Sequence, residues 1–185
     1  MRRVSRLVAY SALATVWLVV LTAQLPAQQS VDPLRAATTA MGAGTLRSLR
    51  YQGFGATYSR GAGAKRVPLP RYEAGLETTP HGFLRAAAAN GAVVRAVPLG
   101  IEIGFVAGGR RYAGIVNERN LVDRVRTWVH DPVHGEMLVE TFYRDYDRFG
   151  RVMFPTHITQ DRAGRPALDL WVLSVAAQHH EETRR

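Results

Sequence analysis

Histidine and carboxylate are the side chains through which this chain could do chemistry, because it contains no cysteine. Its six histidines stand at 81, 130, 134, 157, 179 and 180. The densest cluster, His130-Asp131-Pro132-Val133-His134, has ligand types that zinc takes. Pro132 forbids the regular helix that would put 130 and 134 on one face, so the cluster reads as a strand end and turn with solvated histidines. His179-His180-Glu181-Glu182 falls in a charged C-terminal tail, where no preformed cage would hold a metal. Glu136 and Glu140 share one face of a regular strand, and paired carboxylates can act as acid and base. An exposed sheet face explains them more simply. No Gly-x-Ser-x-Gly elbow occurs. Gly53-Phe54-Gly55 has Tyr58 where a dinucleotide fingerprint needs its third glycine, and residues 61–66 depart from the phosphate-loop pattern. The residues themselves therefore assign no catalytic group, no metal ligand and no cofactor.

Two capped helices and a run of strands must position these side chains. Asp32-Pro33 joins a capping residue to a proline at the first helical position, which predicts a helix through Leu34, Ala37 and Met41 stopping near Gly42. A strand over 49–59 follows, in which Gly53 and Gly55 mark a bend or close packing. Residues 60–70 read as a flexible loop and 71–77 as a strand. Thr79-Pro80 opens a second helix by the same logic, carrying Phe83 and Leu84 and closing at Asn90-Gly91. Beyond it the pattern has period two. Ile101, Ile103 and Phe105 alternate with Glu102 and Gly104, and Gly108-Gly109 turns the chain into a strand over 112–117. Arg124, Arg126, Trp128 and His130 alternate with Val125, Thr127 and Val129. Strands over 136–146, 152–160 and 167–176 are joined by short polar turns. Strands so joined must be antiparallel, since parallel pairs need a long crossover. The expected fold is α+β, one curved antiparallel sheet with two helices packed on one side. No internal repeat or low-complexity tract interrupts it.

The start of the chain points to a compartment. Arg2, Arg3 and Arg6 precede an uncharged run over 7–31 that contains Val16-Trp17-Leu18-Val19-Val20-Leu21, and Pro26-Ala27 before Gln28-Gln29 has the form of a cleavage site. This three-part order is that of an export signal over 1–27, with the mature protein periplasmic or secreted. The alternative is an uncleaved anchor, since roughly 20 apolar residues span a bilayer; membrane contact is expected only through this segment. Removing 27 of 185 residues leaves 158, enough for a single domain over 28–178 with a charged tail over 179–185. Without Arg2, Arg3 and Arg6 the remaining 21 basic residues face 15 acidic ones, a charge of +6. The arginines are scattered among acids, which argues against a nucleic-acid surface. With no cysteine there is neither disulfide nor lipid anchor, and the core must hold the fold unaided.

Several long phrases resemble a known family. Thr79-Pro80-His81-Gly82-Phe83-Leu84-Arg85-Ala86-Ala87 opens the match, followed by Asn117-Glu118-Arg119-Asn120-Leu121-Val122, Thr127-Trp128-Val129 and Pro132-Val133-His134-Gly135-Glu136-Met137-Leu138-Val139-Glu140-Thr141. Tyr143-Arg144-Asp145-Tyr146, Phe149-Gly150, Phe154-Pro155-Thr156-His157-Ile158 and Gly164-Arg165-Pro166-Ala167-Leu168-Asp169-Leu170 complete it. Over residues 79–177, and more loosely from residue 34, the chain resembles the N-terminal domain of exported bacterial metallo-β-lactamase-fold hydrolases. That resemblance implies an open half-barrel similar to the periplasmic lipoprotein carriers, with helices across its mouth. It also implies that zinc chemistry belongs to a following domain with a His-x-His-x-Asp-His motif, which this sequence, ending at Arg185, lacks. No family metal ligand carries over onto any residue here.

Two functions follow as expectations. The first is an exported, non-catalytic binding domain that holds a lipid, another apolar molecule or a partner protein. The second is a truncated or split N-terminal part of a zinc hydrolase, served by a separate hydrolase chain. For the first, Val152, Phe154 and Ile158 share one side of their strand, and Leu168, Leu170 and Val172 one side of the next. These six should face an apolar pocket over which Phe83 and Leu84 close. Trp128, Phe142, Tyr143, Tyr146, Phe154 and Trp171 are expected either to fill the core or to line that concavity.

Overall fold

Two helices and nine strands make up the described residues, 32–59, 65–132 and 135–180, of a computed structural model of the chain. The expected export signal, His134 and residues 181–185 of the expected tail lie outside them. Helix α1 (Pro33–Ala40) begins where Leu34 N donates to Asp32 Oδ1 at 3.0 Å. Helix α2 (Pro80–Ala89) begins where Gly82 N donates to Thr79 Oγ1 at 3.1 Å. In each case proline occupies the first turn, where an N–H would have had no partner in the helix.

The strands are β1 (Leu46–Tyr58), β2 (Arg66–Gly75), β3 (Val93–Val97), β4 (Gly100–Ala107), β5 (Arg110–Val116), β6 (Val122–Asp131), β7 (Gly135–Phe149), β8 (Val152–Arg162) and β9 (Arg165–His179). They form one antiparallel sheet in the order β2-β1-β9-β8-β7-β6-β5-β4-β3. Strands β3 to β9 run as a meander of short turns, and the β1–β2 hairpin joins it through β1 and β9. A 3-10 turn at Leu76–Thr78 and then α2 carry the chain from the β2 edge to the β3 edge. Both edges persist, so the sheet is open. Tyr72 of β2 and Phe105 of β4 come from nearly opposite ends of the strand order yet line one cavity, so the sheet curls around α2.

The architecture is the α+β one expected, with three local corrections. Residues 66–70 are not a loop but the first half of β2. Pro68 and Pro70 are tolerated there because β2 is an edge strand whose outer side needs no donors. Leu76 and Glu77 form the 3-10 turn rather than the end of a strand, and β3 was not expected at all. The Gly53 and Gly55 bend is real: the register shifts between them against β2, and between Gln52 and Gly53 against β9. That shift resets which side chains of β9 face inward. Leu170 and Val172 are buried before it, Val175 and Ala177 pack on the core after it, and Leu173 is left 68% exposed.

One end of the concave face is solid. Ala37 and Met41 at the end of α1 pack with Leu46, Leu84, Val116, Val122, Val152 and Phe154, all nearly inaccessible to solvent. Burying each large apolar side chain contributes roughly 1.5–3 kcal/mol. The Met41 carbonyl ties this end together, accepting from Met153 N at 3.2 Å and from His81 Nε2 at 3.0 Å. A carbonyl cannot donate, so His81 carries its proton on Nε2. Its Nδ1 is buried with no partner among the described residues. The ring stacks on Phe154 at 5.7 Å, and burial lowers its pKa to about 4, against a smaller raising effect of the Met41 hydrogen bond. His81 is thus a neutral core residue, used for packing and one hydrogen bond.

A candidate binding cavity at the open end of the sheet

The other end of the concave face is not filled. A half-open cavity of about 1210 Å³ lies between α2 and the inner face of the sheet. Pockets for small molecules usually measure roughly 300–1,000 Å³, so this space could take a long ligand. Its walls are ordered by cross-strand register. Ile158 and Tyr143 stand side by side on β8 and β7 at the deep end, and Leu170, beside Ile158 on β9, belongs to the packed core. One row nearer the turns come Thr57, Leu168, Gln160, Thr141 and Val125. Arg162, Val139, Thr127, Tyr112 and Phe105 make the next row. Polar side chains enter in these two rows, and the mouth mixes Arg110, His130 and Asp131 with the apolar Ala107, Val129, Pro132 and Met137.

The roof is α2. Phe83 points from it onto Gly114 of β5: a Cβ there would come within 2.3 Å of the Phe83 ring, so only glycine leaves the seat open. Phe83 also packs against Phe105 at 5.4 Å, and Phe105 stacks on Tyr112 at 5.0 Å. Arg85, on the same helix, donates to the Leu46 carbonyl and fixes the roof to β1. Below, burial raises the Tyr51 and Tyr143 hydroxyl pKa values above the ordinary phenol range, so both rings present neutral, weakly polar surface. Tyr146, three residues after Tyr143, also packs on the core and donates to Val122 O at 2.6 Å. Regular alternation would put 143 and 146 on opposite faces. Asp145, with φ at 52°, is left-handed in mid-strand and breaks that alternation.

The eight residues expected to form an apolar pocket are all inside, but they divide. Phe83, Ile158 and Leu168 line the cavity. Val152, Phe154, Leu170 and Val172 are buried in the core cluster and do not reach it, and Leu84 joins the same cluster from α2. Three of the aromatics expected inside lie on the outer face instead. Arg111 stacks over Trp128 at 3.9 Å, Arg124 and Arg144 each approach Phe142 at 5.7 Å, and Trp171 is 44% exposed. Tyr143, Tyr146 and Phe154 are the ones turned inward. The polar row Thr57, Gln160, Thr141, with Thr127 beyond it, was not foreseen. Its signal was available, since Thr127 has the same parity as Val125 and Val129.

Among the described residues none of the chemistry-bearing clusters occupies the concavity as a reactive set. Glu136 and Glu140 face outward into ion pairs with Arg111 at 3.5 Å and with Arg124 and Arg126 at 3.5 and 3.7 Å. His157, also on the outer face, stacks on Trp171 at 4.1 Å with Nε2 2.8 Å from Asp169 and Nδ1 4.0 Å from Asp145. Such pairing holds an imidazole still without presenting it to a nucleophile. His130 reaches the cavity mouth beside Asp131, while His179 meets Thr45 Oγ1 at 3.0 Å at the opposite end of the sheet. Among the described residues no group of three or more His, Asp or Glu side chains could hold a metal ion. No helix among them is long and apolar enough to cross a membrane. In comparisons with known proteins, no family model, no curated protein and no solved structure matches the chain.

Proposed function

We propose that the chain is an exported, non-catalytic binding domain that holds an apolar ligand between α2 and the inner face of its sheet. The supporting observation is the large half-open cavity, whose floor is aromatic and aliphatic while the opposite end of the same face is packed solid. In this reading the open sheet is a half-barrel of the lipoprotein-carrier kind, with α2 as its cover. Export rests on the basic, apolar, Pro-Ala order of residues 1–27. A ligand that enters a preformed site needs only a neutral, water-excluding wall, which Tyr51, Phe83, Tyr143 and Ile158 supply.

The ordered phrases over residues 79–177 favour a second reading, in which the same domain serves a zinc hydrolase of the metallo-β-lactamase fold carried on a separate chain. Native mass spectrometry of protein gently extracted from the cell envelope, with displacement of a fluorescent fatty acid, tests both. A co-purifying lipid and a displaceable probe support the first. An empty domain that ignores the probe overturns it, and co-purification with a zinc-loaded hydrolase chain favours the second.

A further inference from the structure

The cavity wall is apolar at its floor and mixed toward its mouth. Ile158 and Tyr143 make the deep row, and polar side chains begin one row nearer the mouth. There three inward-facing groups form a hydrogen-bonded line across β7 and β8. Arg162 Nε donates to Gln160 Oε1 at 3.3 Å, and Gln160 Nε2 donates to Thr141 Oγ1 at 3.2 Å. The two bonds fix which end of the Gln160 amide is which, and they lay the Arg162 side chain back along the wall. Its terminal NH groups meet no carboxylate among the described residues, and Arg110, across the mouth at the start of β5, has no ion pair there either. On the outer face, by contrast, Arg95, Arg111, Arg124 and Arg126 are each matched to Glu102, Glu136 or Glu140.

We infer that the cavity takes a single-chain amphiphile tail first and holds an anionic head, carboxylate or phosphate, at the mouth with Arg162 and Arg110. This deepens the binding reading above and rests on it. Guanidinium is the side chain best matched to both head groups, because its fork can donate two parallel N–H bonds. Gln160 already engages the Arg162 Nε, which leaves the two terminal NH2 groups of the fork for a head group. Glu77 and Asp131 also line the cavity, so the mouth is not a diffuse positive field. Selectivity should come from the arginine forks rather than from net charge.

The test uses three probes with one tail: palmitate, hexadecanol and hexadecyltrimethylammonium, each displacing the neutral dye N-phenyl-1-naphthylamine from the full chain. Palmitate should bind about tenfold more tightly than hexadecanol, and the cationic probe more weakly than either. In an Arg110→Gln, Arg162→Gln double variant the palmitate to hexadecanol ratio should fall to about one, whereas Arg148→Gln, at the opposite end of the sheet, should leave the ratio unchanged. Raising salt should weaken palmitate and not hexadecanol in the unmodified chain, a readout independent of how the double variant folds. Equal binding of all three probes overturns the head-group assignment and leaves the cavity reading standing. Failure of every probe overturns both.

Discussion

The two ends of the concave face are built from the same strands and differ in what covers them. At one end α1 delivers Met41 and Ala37 onto β8, where the inward row of Val152 and Phe154 meets them and all four are inaccessible to solvent. At the other end α2 and the 3-10 turn before it stand over the sheet, and apart from Phe83 and Arg85 the helix presents Gly82, Ala86 and Ala89. Small side chains on the roof and threonines on the wall leave a void that leucines would have closed. The strands therefore decide which side chains face inward, and the helices decide whether the inward space is core or cavity.

If that division is correct, truncations at the two ends should differ sharply. Phe154→Ala should cost about 3–5 kcal/mol, the usual loss for a fully buried phenylalanine. Leu168→Ala, on the cavity wall, should cost about 1 kcal/mol or less. Urea unfolding of both variants measures the contrast, and equal losses would break it.

His81 sharpens the same contrast through pH. Its folded pKa of about 4 lies below the ordinary 6.5, so between these values the unfolded chain binds a proton that the fold refuses. Its contribution is whole above pH 6.5 and falls as pH drops toward 4, by roughly 3 kcal/mol in total. A His81→Gln variant should lose stability at neutral pH and show a flatter curve across that window. Parallel pH curves for the two proteins would show that His81 does not titrate as a buried neutral ring.

A smaller effect than that of His81 concerns the roof. Gly114→Ala would push a methyl group into the Phe83 ring and should cost roughly 1–3 kcal/mol. The loss should shrink in a Phe83→Leu background, because the two sites share one contact. Additive losses would mean that Phe83 does not seat on Gly114.

Much of the fold was legible because its signals are local. The Asp32-Pro33 and Thr79-Pro80 starts, the Gly108-Gly109 turn and the period-two runs each carry their own instruction within a few residues. The misses have physical causes. Pro68 and Pro70 look like loop residues unless β2 is known to be an edge, and edge status is set by the whole sheet. The run Val93-Val94-Arg95-Ala96-Val97 has no clean alternation and is short. The cavity was half legible. Period two correctly placed Val152, Phe154, Ile158, Leu168 and Leu170 on the inner face, but it says nothing about position along the strand. Only the placement of α1 separates the residues that fill from those that line. The register reset at Gly53 and the left-handed Asp145 break the alternation on which such reasoning depends.

The pairing of β1 with β9 has a consequence for how the molecule comes into being. Among the described residues β1 pairs with the hairpin partner β2 and with a strand roughly 120 positions later in the chain. Until residues 165–179 arrive, the hairpin has nothing to extend, and the meander lacks its closing flank. Contacts of such large separation fold slowly, because the loop must be closed before the pairing rewards it. The sheet is thus completed by its last strand, and a chain cut short before Arg165 would forfeit β1 and β2 along with β9.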